Sequence, residues 1–77
     1  EEPIFYGDFE LIEQKIVGEK HLKCNLKLLG TSSVLEGIAF FQEKINSKKV
    51  RVAYKLNVNS FRGNESLQLM IESIAAQ

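Results

Sequence analysis

The chain is poor in the residues on which catalysis usually depends. Its 77 residues include one cysteine, Cys24, and one histidine, His21. A lone cysteine cannot close a disulfide within the chain, and this points to a reducing compartment, the cytoplasm. His21 and Cys24 stand three apart in a stretch with strand-like alternation. Their side chains leave opposite faces, so they can neither form a dyad nor share a metal ion. No glycine-rich phosphate loop is present. The carboxylates are scattered without a catalytic spacing, and the chain by itself is read as non-catalytic and without a cofactor. No apolar run approaches the roughly 20 residues of a spanning helix and no signal peptide is visible, so no membrane is expected as a partner. Proline occurs once, at Pro3, and tryptophan not at all.

What is present fits one small folded domain. The sequence is 44% hydrophobic and 26% charged, a globular rather than a disordered composition. It opens on Glu1 without a methionine, and a piece of a longer protein is expected. Net charge is zero but unevenly spread. Residues 1–19 carry six acids against Lys15, whereas residues 20–62 carry nine bases against Glu36 and Glu43. That asymmetry predicts a basic face able to attract polyanions. For any single lysine, simple solvation of a strand surface is the plainer reading.

Alternation of apolar and polar residues runs through most of the chain. Residues 1–7 are expected as a lead-in. Asp8 to Val17 is a strand with broken parity: Phe9 and Leu11 fall on one side, Ile12 and Ile16 on the other, and a bulge would reconcile them. Gly18-Glu19-Lys20 is a turn. His21 to Leu28 is the cleanest strand, with Leu22, Cys24, Leu26 and Leu28 on one face and His21, Lys23, Asn25 and Lys27 on the other. Val34 to Phe41 forms a third strand, in which Gly37 suggests a bulge or sharp bend. Gln42 to Lys49 has Ile45 as its only apolar residue and reads as a loop or one short helical turn. Val50 to Val58 is a fourth strand, residues 59–66 a polar loop, and Leu67 to Glu72 the start of a fifth strand. Residues 75–77 are expected to fray.

Five short strands cannot bury a flat sheet. Curling into a barrel buries the apolar face and removes the open edges. The expected fold is all-β, a five-stranded Greek-key barrel of the OB type, with an SH3-like barrel as competitor. OB barrels bind ligands across strands two and three, between the loops joining strands one to two and four to five. Single-stranded nucleic acid is gripped by a basic groove with rings on which bases stack. Lys20, His21, Lys23, Asn25, Lys27, Phe61 and Arg62 are therefore the candidate contacts. Phe61 reads equally as a stacking ring or as a staple folding its loop onto the barrel. Arg62 reads as a phosphate contact in preference to a partner for Glu65. Tyr54, on the apolar parity, reads as core.

Four stretches resemble one family in order. Gly18-Glu19-Lys20-His21-Leu22-Lys23 resembles the turn and second strand of the OB domain of RecJ, the single-strand-specific DNA exonuclease. Ile38-Ala39-Phe40 is similar to its third strand. Val52-Ala53-Tyr54-Lys55-Leu56, with Asn59 and then Phe61-Arg62-Gly63, is similar to its fourth strand and following loop. Leu67-Gln68-Leu69-Met70-Ile71-Glu72 is similar to its closing strand. The resemblance implies an OB module near the C-terminal end of a larger exonuclease that degrades single-stranded DNA from the 5′ end. Its implied task is to grip that DNA and guide it to nuclease core domains, whose Mn or Mg ions lie outside this chain. By position, the resemblance implies Lys20, His21, Lys23, Phe61, Arg62 and Gly63 as DNA contacts, while Gln68 falls in the matched stretch as a contact or as a residue serving the fold. Phe41, Arg51 and Ser73 depart from the family pattern. The other reading is a structural or protein-docking module that packs on the parent enzyme or a partner without binding DNA by itself.

Overall fold

In the computed structural model, residues 2–77 are described, apart from the side chain of Phe61. Five strands follow one another: β1 (Phe5–Val17), β2 (His21–Leu28), β3 (Val34–Ala39), β4 (Lys49–Phe61) and β5 (Asn64–Ala76). They close in the order β1-β2-β3-β5-β4, with β4 returning to β1. Only the β3–β5 pairing is parallel. This is the OB arrangement, and it settles the competition with the SH3-like barrel.

The parity break in β1 is a bulge. Register shifts between Leu11 and Glu13, leaving Ile12 as the extra residue and bringing Ile16 opposite Leu22. A second shift lies between Ala53 and Tyr54, where Glu72 is the extra residue on β5. It lets Ile71 and Ile74 both face inward although they sit three apart. Phe9, Leu22, Leu26, Val50, Val52 and Leu69 fill the centre and are essentially inaccessible to solvent. Tyr54 packs against this core, edge-on to Phe9 at 5.7 Å and stacked on Phe5 at 5.8 Å.

Several boundaries differ from the expectations. The lead-in is shorter, because Phe5 already pairs with Tyr54 and the strand begins there. The C-terminal end does not fray: Ala75 and Ala76 pair with Arg51 and Val50, and the Gln77 N–H donates to the Lys49 carbonyl. Gly37 makes no bulge, since β2 and β3 pair without a shift from Leu22–Ala39 to Lys27–Val34. A Cβ on Gly37 would lie 2.8 Å from Ile71 Cδ1, so the glycine serves close approach of the walls. The third strand stops at Ala39 because Phe41 adopts φ 55°, which ends the extended run.

Residues 42–48 contain no helix. The Gln14 amide organises this segment instead. Its Nε2 donates to the Ile45 carbonyl and its Oε1 accepts from the Ile45 N–H, both at 2.8 Å. Ile45 is thereby held against the core with its backbone polar groups satisfied. The expected loop at 59–66 is mostly strand. Phe61 pairs with Asn64 across the two-residue turn Arg62-Gly63, where both residues have positive φ, 52° and 81°. Two positive φ values are the mark of a tight hairpin turn whose twist suits its strands.

Candidate nucleic-acid interface

The second strand presents its polar side chains outward, as the alternation predicts. His21, Lys23, Asn25 and Lys27 are half-buried on the outer face, while Leu22, Cys24 and Leu26 are buried. The charge asymmetry is partly paired off between neighbouring strands. The acidic strand β1 lies between the basic strands β2 and β4. Lys27 Nζ stands 3.9 Å from Glu10, and Arg51 forms a two-pronged pair with Asp8, at 2.8 and 3.3 Å. Lys55 approaches Glu72 at 3.7 Å and Lys23 approaches Glu36 at 3.2 Å. Neighbouring strands thus pair in space some of the charges that the sequence separates in order. Arg51 is engaged by Asp8, which also accepts from Gln77 Nε2 at 2.9 Å. The Arg51 guanidinium bond holds the Asp8 carboxyl below its ordinary range.

A continuous polar band crosses the outer face instead. Asn57 Nδ2 donates to Asn59 Oδ1 at 3.3 Å, and Asn59 Nδ2 reaches Gln68 Oε1 at 3.5 Å. Gln68 Nε2 donates to Glu36 Oε1 at 3.0 Å, and Glu36 meets Lys23. The band therefore passes from β4 through β5 and β3 to β2. A groove of about 220 Å³ opens beside it, lined among others by Glu13, Lys15, Lys23, Asn25 and Glu36. Sequence reasoning missed Glu36, Asn59 and Lys15. Glu36 joins the band only through the β3–β5 pairing, for which no local sequence signal exists, and Asn59 joins it across the β4–β5 hairpin, which the sequence reads as a loop there. Lys15 reaches the groove through the β1 bulge.

The eight candidate residues divide among three places. Lys23 and Asn25 lie on the β2 face at the groove, while Lys27 lies further along, towards β1 and Glu10. Lys20 and His21 lie at the β1–β2 turn. There His21 Nδ1 accepts the Phe41 N–H at 3.2 Å, and the His21 ring meets Phe40 and Phe41 edge-on, at 5.0 and 4.9 Å. Arg62 and Gly63 form the tip of the β4–β5 hairpin. The tip projects five residues past Gln68, the start of the β3 pairing, or roughly 17 Å of extended strand. Phe61 belongs to the same tip, and its side chain lies outside the described residues.

Cys24 is no nucleophile in this setting. Burial, and secondarily the Glu36 carboxylate, push its thiol up to about 11. Among the described residues no cluster of His, Cys, Asp or Glu side chains is placed to hold a metal ion. His21 and Cys24 point to opposite sides of the wall and do not fit such a site. No helix among the described residues is long and apolar enough to cross a membrane.

Comparison with known proteins decides the family. Residues 1–73 match the model of the RecJ OB domain. The chain belongs to the RecJ OB domain family. The single-stranded-DNA-specific exonuclease RecJ of Escherichia coli K12 is 44% identical over 78 residues, covering 95% of this chain. RecJ of Dickeya dadantii is 45% identical and RecJ of Haemophilus influenzae 39% identical, each again over 95% of this chain. The chain spans 14% of the length of these relatives. Among solved structures, the Mg2+ complex of RecJ from Thermus thermophilus superposes with a TM-score of 0.70 at 23% identity. That match covers 99% of this chain and 12% of the other, and it bears on the fold alone. This RecJ OB domain therefore carries the barrel and outer band described above.

Proposed function

We propose that this RecJ OB domain holds single-stranded DNA across its outer face as part of a larger 5′-to-3′ exonuclease working in the cytoplasm in DNA repair and recombination. The observation that carries the reading is the Asn59–Gln68–Glu36–Lys23 band, which crosses β4, β5, β3 and β2. OB barrels bind oligonucleotides on this wall. Amide and carboxylate groups in series offer donors and acceptors to sugar and base edges. Lys23 supplies a charge for phosphate. Its pairing with Glu36 is half-exposed, and such surface pairs are worth only about 0–1 kcal/mol, so a phosphate can compete for the ammonium. Cleavage is assigned to other domains of the parent, together with the Mn or Mg that serves it. In isolation, binding on the order of 10⁻⁴–10⁻⁶ M with strong salt dependence is expected.

A second reading has its own observation. From the Leu56–Leu69 pair outward, the inward parity of the β4–β5 hairpin continues as Leu56, Val58 and Leu67, each about half exposed. An exposed apolar stripe of this kind fits packing against the parent's nuclease core domains. The two roles use opposite faces of the hairpin and are compatible.

Fluorescence anisotropy with labelled single-stranded DNA, at low and moderate salt and with duplex and RNA competitors, tests the first reading. Saturable, salt-sensitive binding that prefers the single strand is the expected result. Lys23→Glu should weaken it while leaving the fold intact. Absence of binding at low salt would leave the docking role alone.

A further inference from the structure

Phe41 is the most exposed large apolar side chain among the described residues, 78% accessible, and it stands at φ 55°. Left-handed backbone costs an L-residue roughly 1–2 kcal/mol, and residues in such conformations cluster at functional sites. Burial does not offset that cost here, because the ring is in solvent. A glycine or asparagine would make the same turn more cheaply. The turn is nevertheless held in place: the Phe41 N–H donates to His21 Nδ1, and the His21 ring braces Phe40 and Phe41 edge-on. An edge-on neighbour occupies at most one face of a ring, so a face of Phe41 stays open. Beside it lies an open concavity of about 810 Å³, lined also by Lys20, Gln42 and Lys44. That volume falls within the roughly 300–1,000 Å³ usual for ligand clefts. His21 sits two residues before Lys23 on β2, and Ile16 of β1 completes the lining of the concavity.

We propose that Phe41, braced by His21 and Phe40, is a stacking platform for an unpaired nucleobase. This rests on the single-strand reading above and deepens it. This platform stands at the β3 exit, apart from the hairpin tip. Glu19 and Glu43 line the concavity with Lys20 and Lys44, so its charge is balanced and the attraction comes from the ring. Every base has a π-face, so the platform is tolerant of sequence.

The test compares the chain with Phe41→Ala, Phe41→Leu and Phe41→Trp, on single-stranded DNA and on an abasic strand of equal length. Unchanged circular dichroism and melting would show that the variants fold. Phe41→Ala and Phe41→Leu are expected to bind single-stranded DNA about 5- to 30-fold more weakly, by a similar factor at low and high salt. Their binding to the abasic strand should be unchanged. Phe41→Trp should retain affinity, and its emission should be quenched by the strand with bases only. Unaltered affinity of the Ala and Leu variants, with the parent chain still binding, overturns the platform and spares the single-strand reading. A parent chain that binds no single-stranded DNA overturns both.

Discussion

The barrel body and the projecting hairpin are built from the same alternating sequence, yet they end in opposite environments. Val52 and Val58 occupy the same strand and the same parity. Val52 is 0% exposed and Val58 57%. Leu26 and Leu56 make a similar contrast. Alternation determines which way a side chain points, but whether anything lies opposite depends on how far the strand outruns the barrel. β4 and β5 continue past the last partners that β1 and β3 offer, and from there the inner parity faces solvent.

The largest test of this contrast is the leucine pair. Leu26→Ala removes methyl and methylene groups from the packed centre and should cost about 2–5 kcal/mol, a large part of the stability of so small a domain. Leu56→Ala should cost less than about 1 kcal/mol. Urea midpoints of the two variants check this, and similar shifts would mean that the hairpin stripe is covered in solution. The valine pair is more stringent because it preserves shape. Val52→Thr places an unpartnered hydroxyl in the core at about 1–3 kcal/mol, whereas Val58→Thr should fall within about 0.5 kcal/mol of the parent.

A smaller effect probes the tip alone. Gly63 has φ 81° and open space around it, so Gly63→Ala pays only for backbone, roughly 1–2 kcal/mol locally. Amide exchange from Asn59 to Ser66 should quicken while the global urea midpoint barely moves. A matching global shift would make the tip part of the cooperative body. The smallest effect concerns the seam joining β1 to β4. Asp8 titrates below its ordinary value because Arg51 bonds its carboxylate. Its contribution is therefore present above the unfolded value of about 3.9 and is lost as pH falls through the folded one. The gap in urea midpoint between the parent and Asp8→Asn should be present at neutral pH and close below about pH 4.

Much of the body could be read in the sequence. The β2 faces, the β1 bulge and the inward Tyr54 follow from parity, because a strand with one buried face leaves a period of two. The five-strand barrel followed from having too few residues to cover a flat sheet. Three things were hidden. The pairing of Lys23, Lys27, Arg51 and Lys55 with acids of neighbouring strands was hidden, because only the strand order shows which strands adjoin. Residues 59–66 are polar and contain Gly63, which suits a loop and a hairpin tip equally well. The Gln14–Ile45 clamp joins residues far apart, and an amide on the inner parity gives no sign of its partner. Within the candidate site, Lys23 and Asn25 were legible from alternation. Glu36 was not, because it reaches the band only through the parallel β3–β5 pairing, nor was Asn59, because the polar stretch 59–66 hides the hairpin that brings it beside Gln68.

That pairing has a kinetic side. The barrel is a three-strand meander and a two-strand hairpin, both local in sequence, joined by two long-range seams. β1 meets β4 from Phe5 to Glu10, but β3 meets β5 only from Glu36 to Ile38. Closing chain loops before distant contacts form slows folding, so the local pieces should assemble first and the seams later. The shorter seam is the natural place for the barrel to breathe. The Gln68–Glu36 bond spans that seam. A strand of DNA lying along the polar band would cross it too, so the ligand would act as a clasp, slowing the opening of the barrel it rests on.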